Sequence, residues 1–359
     1  MLNRKYTAID LFCGCGGLSQ GFLNAGFDVP LGIDNDEMAL KTFSYNHKGS
    51  IGMKLDLFNI DNVNEIVSYL KDNNIETDVL IGGPPCQGFS LAGPRHIDDS
   101  RNKLYRAMVK TAEALKPKVV VLENVPGMIQ LHNGLVAEKI INDFKKLGYK
   151  MRFKLLYAPD YGIPQTRKRV FFVGLLGADD FFEYPKVLLT PYKYITCEEA
   201  INDLPALVNI YGEEQQNYEV EPNSKYEKDR RNGSKVIYNH IGTIHDQKTL
   251  KFISMVPEGK NYKSLPTEYN GIYKYHEALT RYDSKKPSPT INTGHRSHFH
   301  YKWNRIPTVR ESARLQSFDD TFIFFGNKSQ QYKQVGNAVP PLLGFALAKE
   351  IIKWLERTK

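Results

Sequence analysis

Four cysteines in 359 residues, at 13, 15, 86 and 197, are too few and too unevenly spaced for a disulfide framework, and they fit a reducing compartment. No run of 18 apolar residues is present and no charged-then-apolar leader opens the chain, so the sequence reads as neither membrane-spanning nor secreted. Internal repeats and low-complexity tracts are missing as well, which excludes solenoids and propellers. What remains is 41% hydrophobic and 25% charged, as globular domains are, and long enough for one large domain or two ordinary ones. The net charge of +8 is unevenly spread. Residues 225–310 hold 17 Lys and Arg against 7 Asp and Glu, a net +10, so the rest of the chain sums to −2. Six of the nine histidines (His240, His245, His276, His295, His298, His300) lie in that window too. One basic segment on a near-neutral body suits a face that meets a polyanion such as nucleic acid, or is an ordinary solvated basic surface.

Strand-like and helix-like stretches alternate through the first 175 residues. The strand candidates are 6–12, 28–33, 77–83, 118–124, 151–158 and 169–176, each a short apolar run. Helical patterns at 18–26, 102–115 and 135–147 lie between them. This alternation predicts an α/β fold, a doubly wound, mostly parallel sheet whose ligands bind beyond the carboxyl ends of the strands. From about Pro185 the texture turns loop-rich, and periodicity weakens through 213–234. Helical spacing returns at 307–318 and in a closing helix at 339–358.

Five segments carry chemistry. DLFCGCGG (10–17) ends the first strand in a glycine turn, and Asp34 follows Gly14 by 20 positions, where a carboxylate accepts ribose hydroxyls. The spacing is not G-x-G-x-x-G, so an adenosine-type cofactor without pyrophosphate fits better, and a plain structural turn is the alternative. Cys13 and Cys15 lack a partner pair, which argues against a metal. In GGPPCQGFS (82–90) two prolines stiffen the backbone ahead of Cys86; a nucleophilic thiol needs such presentation plus nearby positive charge, whereas a buried core cysteine does not. ENVPG (123–127) puts a carboxylate, Glu123, at the exit of a buried strand, as a proton donor to a ring nitrogen or as a capping or salt-bridging group. QTRKR (165–169) alternates Arg167 and Arg169, which would face one side of an extended segment and suit a base carbonyl, a phosphate or a thiolate. QVGNAVPP (334–341) opens the last helix and either returns to close the cofactor pocket or is only a helix start.

In this order, DLFCGCGGLSQGF, GGPPCQGFS, ENVPG, QTRKRVFFVG, RESARLQSF and QVGNAVPP resemble the C5-cytosine DNA methyltransferase family, bacterial restriction-modification type. The matches span residues 10–341. The resemblance implies a Rossmann-like methyltransferase domain at 1–184, completed by 306–359, and a smaller, loop-rich target-recognition domain at 185–305. It implies that Cys86 adds to C6 of a cytosine flipped out of the duplex and Glu123 contacts N3 and the exocyclic amine. Arg169 holds O2, Arg167 supports the cysteine region, and C5 takes a methyl from S-adenosyl-L-methionine, leaving S-adenosyl-L-homocysteine. Cofactor contacts carry over to Phe12, Gly14, Gly16, Gly17, Asp34, Asp56, Pro85, Leu104, Asn337 and Val339, with no metal. DNA contacts carry over to Gln87, Ser90 and Arg101, and the densest basic stretch, 288–305, adds Thr290, Arg296 and Arg305 as groups facing DNA. The implied partners are double-stranded DNA and a cognate restriction endonuclease, for a monomer in the bacterial cytoplasm at the nucleoid. Two departures stand out: Asp34 replaces the family's usual Glu, and Asp319–Asp320 replaces Pro-Asp after RESARLQSF, loosening a turn. An RNA cytosine methyltransferase is disfavoured by the long basic insert and the missing Cys-Phe-Thr tripeptide. An amino-group methyltransferase needs Asp/Asn-Pro-Pro-Tyr/Phe in place of Pro-Pro-Cys. A non-catalytic binding paralogue would not need Cys86, Glu123 and both arginines.

Overall fold

Parallel strands buried on both faces need β-branched and apolar residues throughout rather than alternation. Val119–Asn124 (β5, VVVLEN), at the centre of the sheet, has that make-up, with every residue buried. The computed structural model describes residues 4–85, 104–266, 279–294 and 297–358. The other strands are β1 (Thr7–Leu11), β2 (Asp28–Asp34), β3 (Ile51–Lys54), β4 (Val79–Gly82), β6 (Tyr149–Tyr157) and β7 (Lys168–Leu176), in the order β3-β2-β1-β4-β5-β7-β6. The first five pair in parallel, and β7 runs antiparallel to both β5 and β6. Every expected strand forms, within a few residues of its predicted ends. The order reverses between β1 and β4, whose carboxyl ends therefore form the crevice where ligands bind in such sheets.

Five helices alternate with these strands: α1 (Gly17–Ala25), α2 (Glu37–Asn46), α3 (Val63–Asp72), α4 (Leu104–Leu115) and α5 (Leu135–Lys146). One apolar cluster joins β1, β2, β4, β5 and β7 to α3, α4 and α5 through Leu80, Val120, Leu122, Met108, Ile140 and Phe172.

The chain divides into two compact units. The first holds the sheet and comprises Met1–Tyr157, Lys168–Lys186 and Leu343–Lys359; the second comprises Ala158–Arg167 and Val187–Leu342. The catalytic segment expected at 306–359 is thus divided at 342/343, and the connection between β6 and β7 belongs to the second unit.

Short elements make up the second unit: α6 (Cys197–Ile201), α7 (Lys225–Arg231), α8 (Gln247–Met255), α9 (Val309–Leu315), α10 (Lys328–Asn337) and two-stranded pairings of β8 (Gln215–Asn217) with β9 (Val236–Tyr238) and of β10 (Thr280–Arg281) with β11 (His298–Phe299). Capping boxes start α6, α7, α9 and α10. Buried arginines hold the unit together and explain why 306–342 stays with it. Arg314 donates to Asp203 at 3.0 Å and to Asp320 at 2.6 Å. Arg310 donates to the carbonyls of Tyr238, Asp319 and Phe322. Asp319 and Asp320 are therefore anchors of an ionic network rather than a loosened turn, since Asp319 also pairs with Arg230 at 2.6 Å.

The closing helix α11 (Pro341–Arg357) buries Leu343, Leu347, Ile351 and Leu355, and Gly344 lets it approach the Leu18 carbonyl of α1. Among the described residues Lys328–Arg357, taken as one stretch, is long and apolar enough to cross a membrane, but 61% of that window is buried inside the fold, as in a core helix.

Candidate active site

Among the described residues, those expected of the first unit's site gather at one end of its sheet. Register places Leu11 of β1 beside Gly82 of β4, and Gly82 beside Leu122 of β5. The turn after β1, the Pro84–Pro85 segment after β4 and Glu123 on β5 thus emerge side by side. Phe12 takes a positive φ of 63°, followed by Gly14 at 53° and Gly16 at 91°. At Gly16 a Cβ would lie 2.1 Å from Cε1 of His47, so only glycine fits there. The Asp34 carboxylate, at the end of β2, accepts from the amides of Gly14 (2.8 Å) and Asp36 (2.9 Å). Burial raises its pKa. The space beyond Gly14 is open, since a Cβ there would meet nothing within 4 Å. A carboxylate fixed beside an open glycine turn fits an adenosine-type cofactor.

Asp56 is exposed just after β3 and accepts from the Phe58 amide; Gly17 and Leu104 are buried at the starts of α1 and α4; Pro85 is exposed. Asn337 is exposed and Val339 buried, both in the second unit.

Glu123 is buried and its carboxylate lies 2.7 Å from Nε of Arg169 on β7. Burial lowers the arginine's pKa, and the Glu123 charge opposes that shift. A Cβ on Gly83 would come within 3.0 Å of Glu123 Oε2, so the backbone leading to the proline-cysteine segment passes against this carboxylate. Next to it, the Asn124 side chain donates to the Pro84 carbonyl at 2.9 Å and so ties the ends of β4 and β5 together. Cys86, Gln87, Ser90, Arg101 and Arg296 lie outside the described residues, as do His276 and His295.

The two arginines of QTRKR have separate partners. Arg169 pairs with Glu123, whereas Arg167 is buried in the second unit, donating to the carbonyls of Ile291 (3.0 Å) and Gly336 (2.7 Å). Gln165, also buried, donates to Gln316 at 2.7 Å and accepts from the Ile291 amide. Thr290 is half-buried, and its hydroxyl donates to the Thr166 carbonyl.

Two expectations for the basic window need correction. Arg305 does not face DNA: it is 2% exposed and grips Glu311 through two bonds of 2.8 and 2.6 Å. His240, His298 and His300 are buried, and burial pushes their pKa down to about 4, 4 and 3, so at neutral pH they carry no charge toward a polyanion. A basic residue reads as surface by default, and here long-range partners override that default.

Sequence reasoning missed two groups beneath the glycine turn. His47, stacked on Phe43, reaches the Phe43 carbonyl with Nδ1 (2.7 Å) and the Gly16 carbonyl with Nε2 (3.1 Å). Asp10 is buried and accepts from the Ser19 hydroxyl at 2.6 Å, and burial raises its pKa to about 8. Only the acidic residue opening DLFCGCGG hinted at either. Among the described residues no group of three or more His, Cys, Asp or Glu could hold a metal ion.

The chain is similar to known proteins along nearly its whole length. A type II methyltransferase of Desulfomicrobium norvegicum, M.DdeI, is 37% identical over 97% of this chain and 89% of its own length. Another from Haemophilus parahaemolyticus, M1.HphI, is 35% identical over 97% of this chain and 87% of its own. The crystal structure of an E. coli prophage-encoded DNA modification methyltransferase superposes with a TM-score of 0.80 at 28% identity, covering 98% of this chain and all of the other. The family described as C-5 cytosine-specific DNA methylase matches residues 6–353. The chain belongs to the C-5 cytosine-specific DNA methylase family.

Proposed function

We propose that this chain methylates C5 of a cytosine in a short duplex DNA site, with Cys86 as the nucleophile, as the modification half of a restriction-modification pair. Membership of the family makes it a DNA (cytosine-5-)-methyltransferase that uses S-adenosyl-L-methionine. Assigning steps to residues rests on one observation above all, the buried Glu123–Arg169 pair facing the backbone that leads to Cys86. Cytosine C5 is a poor nucleophile inside a base stack, and flipping exposes it. The Cys86 thiolate adds to C6, and the electron pair of the C5–C6 bond moves to C5. Glu123, protonated, donates to N3 and makes the ring accept that addition. Arg169 neutralises the glutamate when it ionises and offers its remaining N–H groups to the base's O2. S-adenosyl-L-methionine, when bound, would supply the electrophilic methyl group that C5 takes. Loss of the C5 proton to solvent then re-forms the C5–C6 double bond and expels Cys86 as thiolate, while N3 returns its proton to Glu123, so both groups are ready for the next turnover.

Asp34, Phe12, Gly14, Gly16 and Gly17 are the residues that would hold the cofactor, with Asp56, Pro85, Leu104, Asn337 and Val339 as further contacts. Arg167 acts as a positioning residue through the carbonyls of Ile291 and Gly336 to which it donates. Target recognition falls to the second unit, with Thr290 and Arg296 as its DNA-facing groups and Gln87, Ser90 and Arg101 contacting the duplex from the segment after Cys86. The enzyme works as a monomer at the nucleoid, with a cognate endonuclease cutting the same site unmethylated.

The test combines two measurements. Purified protein should form a covalent adduct with duplex DNA bearing 5-fluorocytosine at the site mapped by bisulfite sequencing. Cys86→Ser should abolish both the adduct and methyl transfer. Transfer at the normal rate by that variant, or a product methylated at N4, overturns the proposal.

A further inference from the structure

We infer that the outer edge of the sheet, β6 with the segment Phe181–Lys186 folded against it, is a second site for DNA phosphates, outside the active site. This rests on the DNA-methylating role proposed for the chain. Among the described residues only β7 pairs with β6, and Arg152, Phe153, Lys154 and Leu155 in its middle are exposed. Tyr184 fastens the returning segment through its hydroxyl, which lies 2.8 Å from the carbonyls of both Arg152 and Phe171 and donates its one hydrogen between them. Between strand and segment lies an open groove of about 630 Å³ lined by Arg152, Phe153, Lys154, Glu183, Tyr184 and Lys186.

Aromatic rings hold the cations here. Arg152 lies 5.6 Å and Lys154 5.9 Å from the centre of the Tyr184 ring, and Lys168 lies 5.6 Å from that of Tyr157. Arg152 and Lys150 bond the carbonyls of Phe182 and Asp179, so they anchor the segment. Lys154, Lys168 and Lys186 have no such task, and among the described residues no carboxylate lies within ion-pair distance of them. Acidic groups are present but displaced: Asp179 and Asp180 sit at the Lys150 end, and Glu183 is the groove's single carboxylate.

Register connects the groove to the chemistry. Glu123 of β5 lies opposite Phe171 of β7, which lies opposite Lys154 of β6. Residues directly opposite in antiparallel strands share a face, so Lys154 projects on the same face as Glu123. Two strand spacings separate them, about 10 Å. That equals roughly three base steps of duplex, so a strand whose flipped base is held at Glu123 brings flanking phosphates toward this edge. A second copy of the chain is the less suitable occupant. Pairing β6 with itself would set Lys150, Arg152 and Lys154 against their own copies, and lysines on an edge strand oppose such addition.

The experiment compares wild type with Lys154→Gln/Lys186→Gln, by fluorescence anisotropy at several salt concentrations. The probes are two duplexes carrying the mapped site, one of ~12 base pairs and one of ~30, both long enough to hold phosphates three base steps from the flipped cytosine. Because the double variant lacks two phosphate-binding cations, the slope of log K against log salt on the long duplex should fall by about 2, and affinity there by roughly tenfold. The short duplex should show the same fall, and a fall confined to the long one would overturn the three-step placement. Calorimetric binding of S-adenosyl-L-homocysteine, unchanged, shows that the fold is intact; should the double variant not fold, Lys186→Gln alone should show half the slope change. An unchanged slope on the long duplex in a folded variant overturns the inference. So does sedimentation showing a wild-type dimer that the substitutions dissociate while DNA binding persists. Failure of the methyltransferase reading is distinguishable, because wild type would then methylate neither duplex.

Discussion

The two units solve the burial of polypeptide in opposite ways. In the sheet, Val119–Leu122 and Val170–Val173 are at most 1% exposed, and strand ladders satisfy their backbone groups, so the core is apolar. The second unit has strands of two or three residues and helices of ten or fewer, which leave many buried carbonyls without a ladder partner. Arginine forks supply the missing donors. Arg281 alone reaches the carbonyls of Ile253, Val256 and His300. Five guanidinium donors can serve several carbonyls that no regular element reaches. An irregular unit is thus held by long polar side chains, a regular one by methyl groups.

Acid should separate the two most strongly. His240, His298 and His300 in the second unit titrate below their ordinary value, so the unfolded chain binds more protons than the folded one between about pH 4 and 6.5. Their stability contribution is therefore complete above that window and lost as pH falls through it. From pH 6.5 to 5 the loss is about 1.5 kcal/mol per histidine, roughly 4–5 kcal/mol for the three. The raised Glu227 and Asp319 oppose a part of this. In the first unit His47, down to about 4, acts in the same direction, but Asp10, up to about 8, acts in the opposite one, so the sheet should respond weakly. The chain's two tryptophans fall one in each unit, Trp303 in the second and Trp354 in the first. Urea unfolding of single-tryptophan variants at both pH values reads each unit, and equal acid sensitivity would end the contrast.

Arg314→Met comes next, leaving Asp203 and Asp320 buried without their shared cation, at about 3–5 kcal/mol. A loss below about 1 kcal/mol at Trp303 would mean that the ionic network does not hold the second unit. The smallest effect should come from Ile81→Val on β4, about 1 kcal/mol, read at Trp354 with Trp303 unmoved. If both signals shift together, the units unfold as one cooperative body.

This division also decides what the sequence could tell. Strands such as Val79–Gly82 and Val170–Val173 declare themselves because burial on both faces demands apolar residues in a row. The site turns were legible for a related reason, since glycine and proline mark unusual backbone, and Asp34 and Glu123 sit at strand ends. Arg305, Arg310 and the histidines were not legible. Their partners lie up to 99 residues away, as Arg305 and Ala206 do, and no local pattern distinguishes a buried guanidinium from a solvated one. The separate partners of Arg167 and Arg169 were hidden for the same reason. Periodicity predicts two side chains on one side of a strand, but not that the first folding unit ends between them.

The connection Ala158–Arg167 leaves the sheet's hairpin to join a unit whose remaining residues begin at Val187. Swapping 187–342 with a relative as one cassette, to test whether this unit reads the site, would therefore strand Gln165 and Arg167 among foreign carbonyls. A chimera must carry both pieces, and a lineage that shuffled recognition regions would have to keep this ten-residue outpost in step with each new insert.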